Sequence, residues 1–275
     1  MPKKTARSYH YKEMNNRQYY TDIFRVSDQQ LQALAAAALS HGGDFCDMYF
    51  EHTTFFNLLL KDGVVSSGGF HTDFGVGIRV LKGEKTGYAY SETTEMGDML
   101  KAAKAASIIA LGTEGKRDYR PVQDRSHDLY PMQSNWRDSS AATFLPFLKD
   151  LEKSVFEKDS RIIKVIARLS DSVSDVMMYN SLGELTCDTR PMGSVTVTAV
   201  FCQDGKTENK TVSRSFRAGA ELIGEALANE LAADVVKGID ERFEAIRPKG
   251  GQMNVVMGAG ASGILLHEAM GHAFE

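Results

Sequence analysis

Twice along this chain a helix-type stretch, a run of short strand-type segments and a second helix follow one another, and that order most narrowly limits the fold. The first round opens at Ser27, which forms a Ser-x-x-Gln capping box with Gln30 ahead of the apolar stripe Leu31, Leu34, Ala38 and Leu39. Gly42-Gly43 closes that helix. Strands are expected at 44–51, 54–60, 64–69, 73–81 and 87–91, with Asp62-Gly63 and Lys82-Gly83 as hairpin turns. A helix over 94–111 ends the round, with Met96, Leu100, Ala103 and Ile108 on its buried side. The second round starts with a helix at 140–158 that places Phe144, Phe147, Leu148, Leu151 and Val155 on one face. Strands are expected at 161–170, 175–180, 184–189, 194–203 and 208–215, turned by Asn180-Ser-Leu-Gly183 and Asp204-Gly205. A helix at 219–237 completes it, and the two rounds share an outline but no sequence repeat.

The fold class expected is therefore α+β: two helix–sheet domains followed by the first strand and motif helix of a third, catalytic domain. The boundaries read as a polar N-terminal arm at 1–26, an N-terminal domain at 27–115 and a Gly-, Pro- and charge-rich linker at 116–138. A middle domain follows at 139–247, and the third domain begins at 248–275. With 275 residues, of which 43% are hydrophobic, the chain is long enough for two cores. A net charge of −4 lacks the basic footprint of a nucleic-acid binder. The apolar runs are too short to span a bilayer, and residues 1–20 lack the apolar segment of a secretory signal. Cys46, Cys187 and Cys202 show no Cys-x-x-Cys spacing, which fits a reducing cytoplasm.

The chemistry is concentrated at the end of the chain. Residues 252–257 read as a buried strand, Gly258-Ala-Gly260-Ala-Ser-Gly263 as a turn, and the next stretch as an apolar helix bearing His267-Glu268-Ala-Met-Gly271-His272. Two imidazoles bracketing a carboxylate are the working parts of a metallopeptidase, in which two ligands hold a metal and a base activates water. The spacing is His-Glu-x-x-x-His, one residue longer than the common zinc-peptidase motif. Residues five apart on an ideal helix differ by about 140° in direction, against about 40° for residues four apart. Both imidazoles reach one metal only if the helix is distorted, so an irregular helix is expected at 267–272, for instance through a π-bulge, with Gly271 best able to permit the deformation. His267 and His272 are the expected ligands of a divalent metal, zinc first, although two ligands alone also suit manganese, cobalt or nickel. Glu268 is the expected general base, returning its proton to the leaving amine. Glu275 is a candidate third ligand, with a surface carboxylate as the plainer reading.

Two rival readings attach to the same stretch. Gly258-x-Gly260-x-x-Gly263 follows a strand and opens a helix, as a dinucleotide fingerprint does, and would make this a nucleotide-binding oxidoreductase. That motif also calls for an acidic residue about twenty positions on, whereas only twelve residues follow Gly263. Alternatively the chain is a catalytically incomplete module that binds a peptide or partner, a reading that an exposed apolar surface around 252–274 would favour. Elsewhere, His41, His52, His71 and His127 lack partner spacing and read as structural, and Trp136 reads as a packing anchor. The sequon Asn209-Lys-Thr211 has no secretory context.

The run from Val255 to Glu275, with His267-Glu-Ala-Met-Gly-His272 at its centre, resembles the signature of the TldD/PmbA family of metallopeptidases. The order of elements before it is similar to that family from about residue 27 onward. Carrying the motif, the chain looks like the catalytic TldD type rather than its PmbA (TldE) partner. The resemblance implies zinc-dependent cleavage of unfolded peptides or small proteins, inside a chamber built with a TldE/PmbA-type subunit or as a homo-oligomer. It also implies that the third zinc ligand is a downstream cysteine, a role to which Cys187 and Cys202 are not promoted. On this reading the chain is expected to be the front portion of such a peptidase, ending just after its signature.

Overall fold

Asp62-Gly63 and Asp204-Gly205 both take consecutive left-handed φ values, 52° and 76° in the first and 51° and 77° in the second. That is the backbone of a two-residue type I′ turn, whose twist matches the strands it joins. In the computed structural model, which describes residues 16–110, 121–126, 129–247 and 249–274, these turns cap two long hairpins. Strand β1 (Phe45–Lys61) runs into β2 (Val64–Lys82) through the first turn, and β6 (Glu184–Gln203) into β7 (Lys206–Phe216) through the second. Between them lie β3 (Lys85–Ser91), the two-residue β4 (Gln123–Asp124) and β5 (Ile162–Asn180).

All seven strands belong to one sheet, ordered β3-β2-β1-β5-β6-β4, with β7 also on β6. The two rounds meet where β1 and β5 pair antiparallel, from Asp47 opposite Asn180 to Lys61 opposite Ile166. The short strands expected on either side of 52–53, 70–72, 171–174 and 190–193 are merged into continuous ones. In the sheet these stretches stay within the ladder, and some of their side chains find partners on a neighbouring strand, as His52 does with Asp175 and Thr53 with Ser174. Pro191 is accommodated because β7 pairs with β6 only from Gly193 onward, leaving that stretch of β6 without β7 beside it.

Alternation sorts the sheet into two faces. Met48, Phe50, Leu58 and Leu60 of β1, Val76, Ile78 and Val80 of β2, Val165, Ala167 and Leu169 of β5, and Val195, Val197, Ala199 and Phe201 of β6 are buried. By register these positions share one face. Helices α2 (Asp28–Ala38) and α3 (Met96–Ser107) cover it near β1–β3, while α4 (Ala141–Phe156) and α5 (Glu225–Val236) pack together over β5–β7. Helix α2 starts with the expected box: the Gln30 amide donates to Ser27 Oγ, and Gln30 Oε1 accepts from the Ser27 amide at 2.9 Å. Glu152 of α4 accepts from the Gly63 amide at 2.8 Å, tying a second-round helix to the first-round hairpin. Trp136 is 2% exposed, lies against Phe144 and Phe216, and donates from Nε1 to the Ala218 carbonyl.

Part of the expected polar arm at 1–26 has a structure of its own. Residues 1–15 lie outside the described residues, but Arg17–Phe24 form α1, capped by the Asn16 side chain, with Tyr19, Tyr20 and Phe24 buried. The two tyrosines look polar in sequence yet bury their rings. Their hydroxyls reach a network centred on Asp175, which has no exposed side-chain surface. Asp175 Oδ2 accepts from Tyr19 Oη at 3.1 Å and from Arg137 Nη1 at 2.7 Å, while Oδ1 accepts from Thr189 at 2.8 Å. His52 Nδ1 stands 3.3 Å from Oδ2. Burial works against ionisation of Asp175, but hydrogen bonds from His52, Thr189 and Arg137 outweigh it and hold the carboxyl below its usual range. Arg137 further donates to Thr54 Oγ1 and the Val173 carbonyl, so one guanidinium joins the residue 134–138 region, β1, β5 and α1. None of the described helices is long and apolar enough to cross a membrane.

Candidate metal centre

Residues 240–274 form a unit separate from the sheet unit. The stretch 252–257, expected as a buried strand, has no assigned secondary structure and no strand pairing among the described residues, and Met253, Val255, Val256 and Met257 are exposed. Apolar character alone does not make a strand; a neighbouring strand must supply the ladder. Of the glycines that follow, Gly260 alone is constrained by its backbone, at φ 97°. A Cβ on Gly258 or Gly263 would meet nothing within 4 Å. Helix α6 (Ile239–Glu244) precedes this stretch and α7 (Ala261–Ala269) follows it.

The motif sits where α7 ends. His267 and Glu268 lie in its last turn, and the Met270 amide donates to the Leu266 carbonyl at 2.9 Å. Met270 then leaves helical geometry at φ −129° and ψ −38°, and Gly271–Ala273 form a tight 3₁₀ turn carrying His272. The helix is thus irregular over 267–272, as the five-residue spacing requires, and the distortion takes the form of a break and restart instead of a π-bulge. Both devices redirect the backbone between the imidazoles, and the break does so with a shorter turn.

The result gathers all three side chains. Ligand-type atoms of His267, Glu268 and His272 lie within 4.8 Å of one another. The imidazole centroids are 4.5 Å apart with 59° between ring planes. Glu268 Oε2 stands 3.6 Å from His272 Nε2. The carboxylate of Glu268, the expected general base, falls inside the donor cluster, where it can serve as a third donor or as a base beside two. All three residues are exposed. A Cβ on Gly271 would lie 2.9 Å from His267 Nδ1, so the imidazole keeps its present position only beside a glycine. Glu275 lies outside the described residues. Cys46 and Cys187 are buried in the sheet unit, and burial pushes the Cys187 thiol up to about 12.

Long strands under one layer of helices, with an exposed histidine–glutamate cluster on a separate unit, define an α+β protein with a candidate metal centre. Two family models match the chain: PmbA/TldA metallopeptidase domain 1 over residues 46–110 and the PmbA/TldA metallopeptidase central domain over 134–239. Together they cover more than half of it, and the chain belongs to the PmbA/TldD metallopeptidase family. It is 29% identical over 244 residues to a metalloprotease TldD homolog of Haemophilus influenzae, covering 84% of this chain and 50% of that one. A metalloprotease of Archaeoglobus fulgidus is 24% identical over 225 residues, 80% of this chain and 49% of that one. The chain thus spans about half the length of the curated relatives it matches. Among solved structures, TldE from Thermococcus kodakarensis is similar with a TM-score of 0.57 and 12% identity, over 77% of this chain and 47% of that one. A Thermotoga maritima protein described as a candidate modulator of a DNA gyrase gives 0.59 and 21%, over 76% and 47%.

Proposed function

We propose that this chain contributes to zinc-dependent cleavage of unfolded peptides or small proteins, with His267 and His272 as metal ligands and Glu268 as general base. The observation that carries the reading is the convergence of the three side chains within 4.8 Å across a break in the helix. Two imidazoles and a carboxylate are a donor set that suits zinc, and Gly271 leaves His267 room to turn toward His272. A bound divalent metal would supply Lewis acidity, polarising the scissile carbonyl and easing ionisation of the attacking water. His267 and His272 would hold it through neutral imidazole nitrogens. Glu268, reaching the same space, would take a proton from water and pass it to the leaving amine. Family membership supports hydrolysis of peptide bonds, and likeness to a TldE structure supports a TldE/PmbA-type partner subunit. The three cysteines, none of them in a disulfide, support a cytoplasmic setting. We read the order of units as a 1–26 arm, domains at 27–115 and 139–247 joined by 116–138, and a catalytic domain opening at 248.

A second reading has its own observation. Val255, Val256, Ile264, Leu265, Leu266 and Phe274 are all at least half exposed, which favours a unit that engages another polypeptide without cleaving it. Metal content of the purified chain separates the two. Near-stoichiometric zinc that is lost in His267→Ala and in His272→Ala supports the metal centre. A chain that takes up no divalent metal when supplied with zinc overturns it in favour of the binding module.

A further inference from the structure

Strand β2 has one edge that is only partly used. Over Val76–Lys82 its outer side is occupied by β3, but residues 64–75 have β1 on one side and, among the described residues, no strand on the other. The ladder fixes which groups are left over. The Ser181 amide donates to the Cys46 carbonyl at 2.8 Å, so even residues of β1 bond toward β5 and odd residues toward β2. Odd residues of β2 answer them. Gly68, Phe70, Thr72 and Phe74 therefore turn their backbone N–H and C=O groups outward. Natural edges of this kind are usually blunted by lysine, proline or a covering element. Residues 64–75 contain neither lysine nor proline, and 64–73 are exposed on both faces, including Phe70.

Where β3 leaves this edge, a cavity of about 240 Å³ opens between Tyr49 and Glu51 of β1, Asp73 of β2, and Tyr88, Tyr90 and Glu92 at β3 and its exit. The register puts Tyr49, Glu51, Asp73, Tyr88 and Tyr90 on one face, opposite the helices. Tyr88 and Tyr90 are about two-thirds exposed. None of the lining residues is basic. Arg190, beside Tyr49, is engaged by Asp188 at 2.7 Å. Gly75 and Gly77 form the floor: a Cβ on Gly75 would lie 2.5 Å from the Ser91 carbonyl oxygen, which excludes a side chain there, while one on Gly77 would push the Tyr88 hydroxyl aside. Arg190 serves the Tyr49 end of the cavity, whereas Tyr88 and Tyr90 lie near Asp73 and Glu92 with no basic residue in the lining, surroundings that a lysine or arginine side chain prefers.

We propose that the open edge of β2 and this cavity together bind an extended segment of a partner polypeptide carrying lysine or arginine. The segment would lie in the lane that β3 occupies further along, pairing with the outward groups of Gly68, Phe70, Thr72 and Phe74. A basic side chain opposite Asp73 would then enter the tyrosine–carboxylate cavity. The backbone ladder supplies affinity that is indifferent to sequence, and the cavity supplies the preference for positive charge. This surface belongs to the sheet unit and is independent of the metal-centre reading.

The test uses the full chain and a fluorescein-labelled short peptide alternating threonine and lysine, with a threonine–glutamate peptide as counterpart. Fluorescence anisotropy should show saturable binding of the lysine peptide, at least tenfold tighter than that of the glutamate peptide. Thr72→Pro removes an outward N–H without changing charge, at an edge position that tolerates proline, and should weaken binding about tenfold. Asp73→Lys leaves the backbone ladder intact and should remove or reverse the preference, weakening the lysine peptide and strengthening the glutamate peptide. The second variant decides the matter if the first perturbs folding by circular dichroism. Equal binding of both peptides, or lysine-peptide binding that Asp73→Lys leaves unchanged, would overturn the proposal. So would an edge already filled by a second copy, seen as a dimer in sedimentation that Thr72→Pro dissociates.

Discussion

Gly271 stands directly against His267: a Cβ on the glycine would approach Nδ1 to 2.9 Å. The ring cannot keep its present position beside His272 if that space is filled. Gly271→Ala should therefore lower zinc affinity about tenfold or more, in the range seen when groups supporting metal ligands are altered. Competition with a chromophoric chelator measures this directly. Far-ultraviolet circular dichroism should be unchanged, because Gly271 lies beyond the end of α7.

The Asp175 network makes a separate prediction about stability. Arg137→Met would leave a fully buried carboxylate without its closest cation. Removing one partner of a buried pair costs about 3–5 kcal/mol, and His52, Tyr19 and Thr189 remain to moderate the loss. A loss of about 3 kcal/mol in urea unfolding is expected, toward the lower end of that range. The pH dependence follows from the lowered carboxyl pKa. The stabilisation is present above the reference value of 3.8 and disappears as pH falls through the lower folded value. Acid should therefore narrow the gap between wild type and variant.

Asp171 behaves in the opposite sense. Burial pushes its carboxyl up to about 7, against the partial relief offered by Arg137, and Oδ2 has no hydrogen-bond partner among the described residues. The folded chain holds this proton more tightly than the unfolded one, so stability falls as pH rises from about 4 to about 7 and then levels. Asp171→Asn removes the penalty. Above pH 7 it should be more stable than wild type by on the order of 2 kcal/mol, allowing for partial solvation, with the advantage gone near pH 4. Thermal melts of both proteins across that range provide the check, and a constant difference would count against the assignment.

Trp136 is the chain's single tryptophan and packs over Gly193, whose added Cβ would lie 2.4 Å from the indole Cζ2. Gly193→Ala should push the ring toward solvent, red-shift its emission and cost about 1–3 kcal/mol through overpacking. Because Trp136 also contacts Phe144 and Phe216, the same emission reports the packing of α4 and β7.

The parts of this structure that were legible in the sequence are those fixed by neighbours in the chain. Ser27 and Gln30 cap a helix, and Asp62-Gly63 and Asp204-Gly205 turn hairpins, because each signal acts within four residues. The strand breaks expected near His52, Asp171 and Pro191 rest on the same local logic and are absent. There the deciding contacts are remote: His52 meets Asp175 123 residues away. Helix α1 lies in a stretch that reads as polar because Tyr19 and Tyr20 carry hydroxyls on rings that only the fold buries; Asn16 at its cap and the apolar Phe24 are its local signals. At the candidate metal centre, His267, Glu268 and His272 and the need for a distorted backbone were readable from spacing. The form of the distortion was not, since nothing in Met270 announces that a helix will end there.

The pairing of β1 with β5 also dictates how the molecule comes into being. Lys61 pairs with Ile166, so the central ladder cannot close until the second round has been made. At about 5–20 residues per second of synthesis, the first hairpin waits several seconds with β1's inner edge bare. Folding dominated by such distant pairings is slow. During that interval the nascent first half is the species most open to aggregation and to capture by chaperones, whatever the finished protein goes on to do.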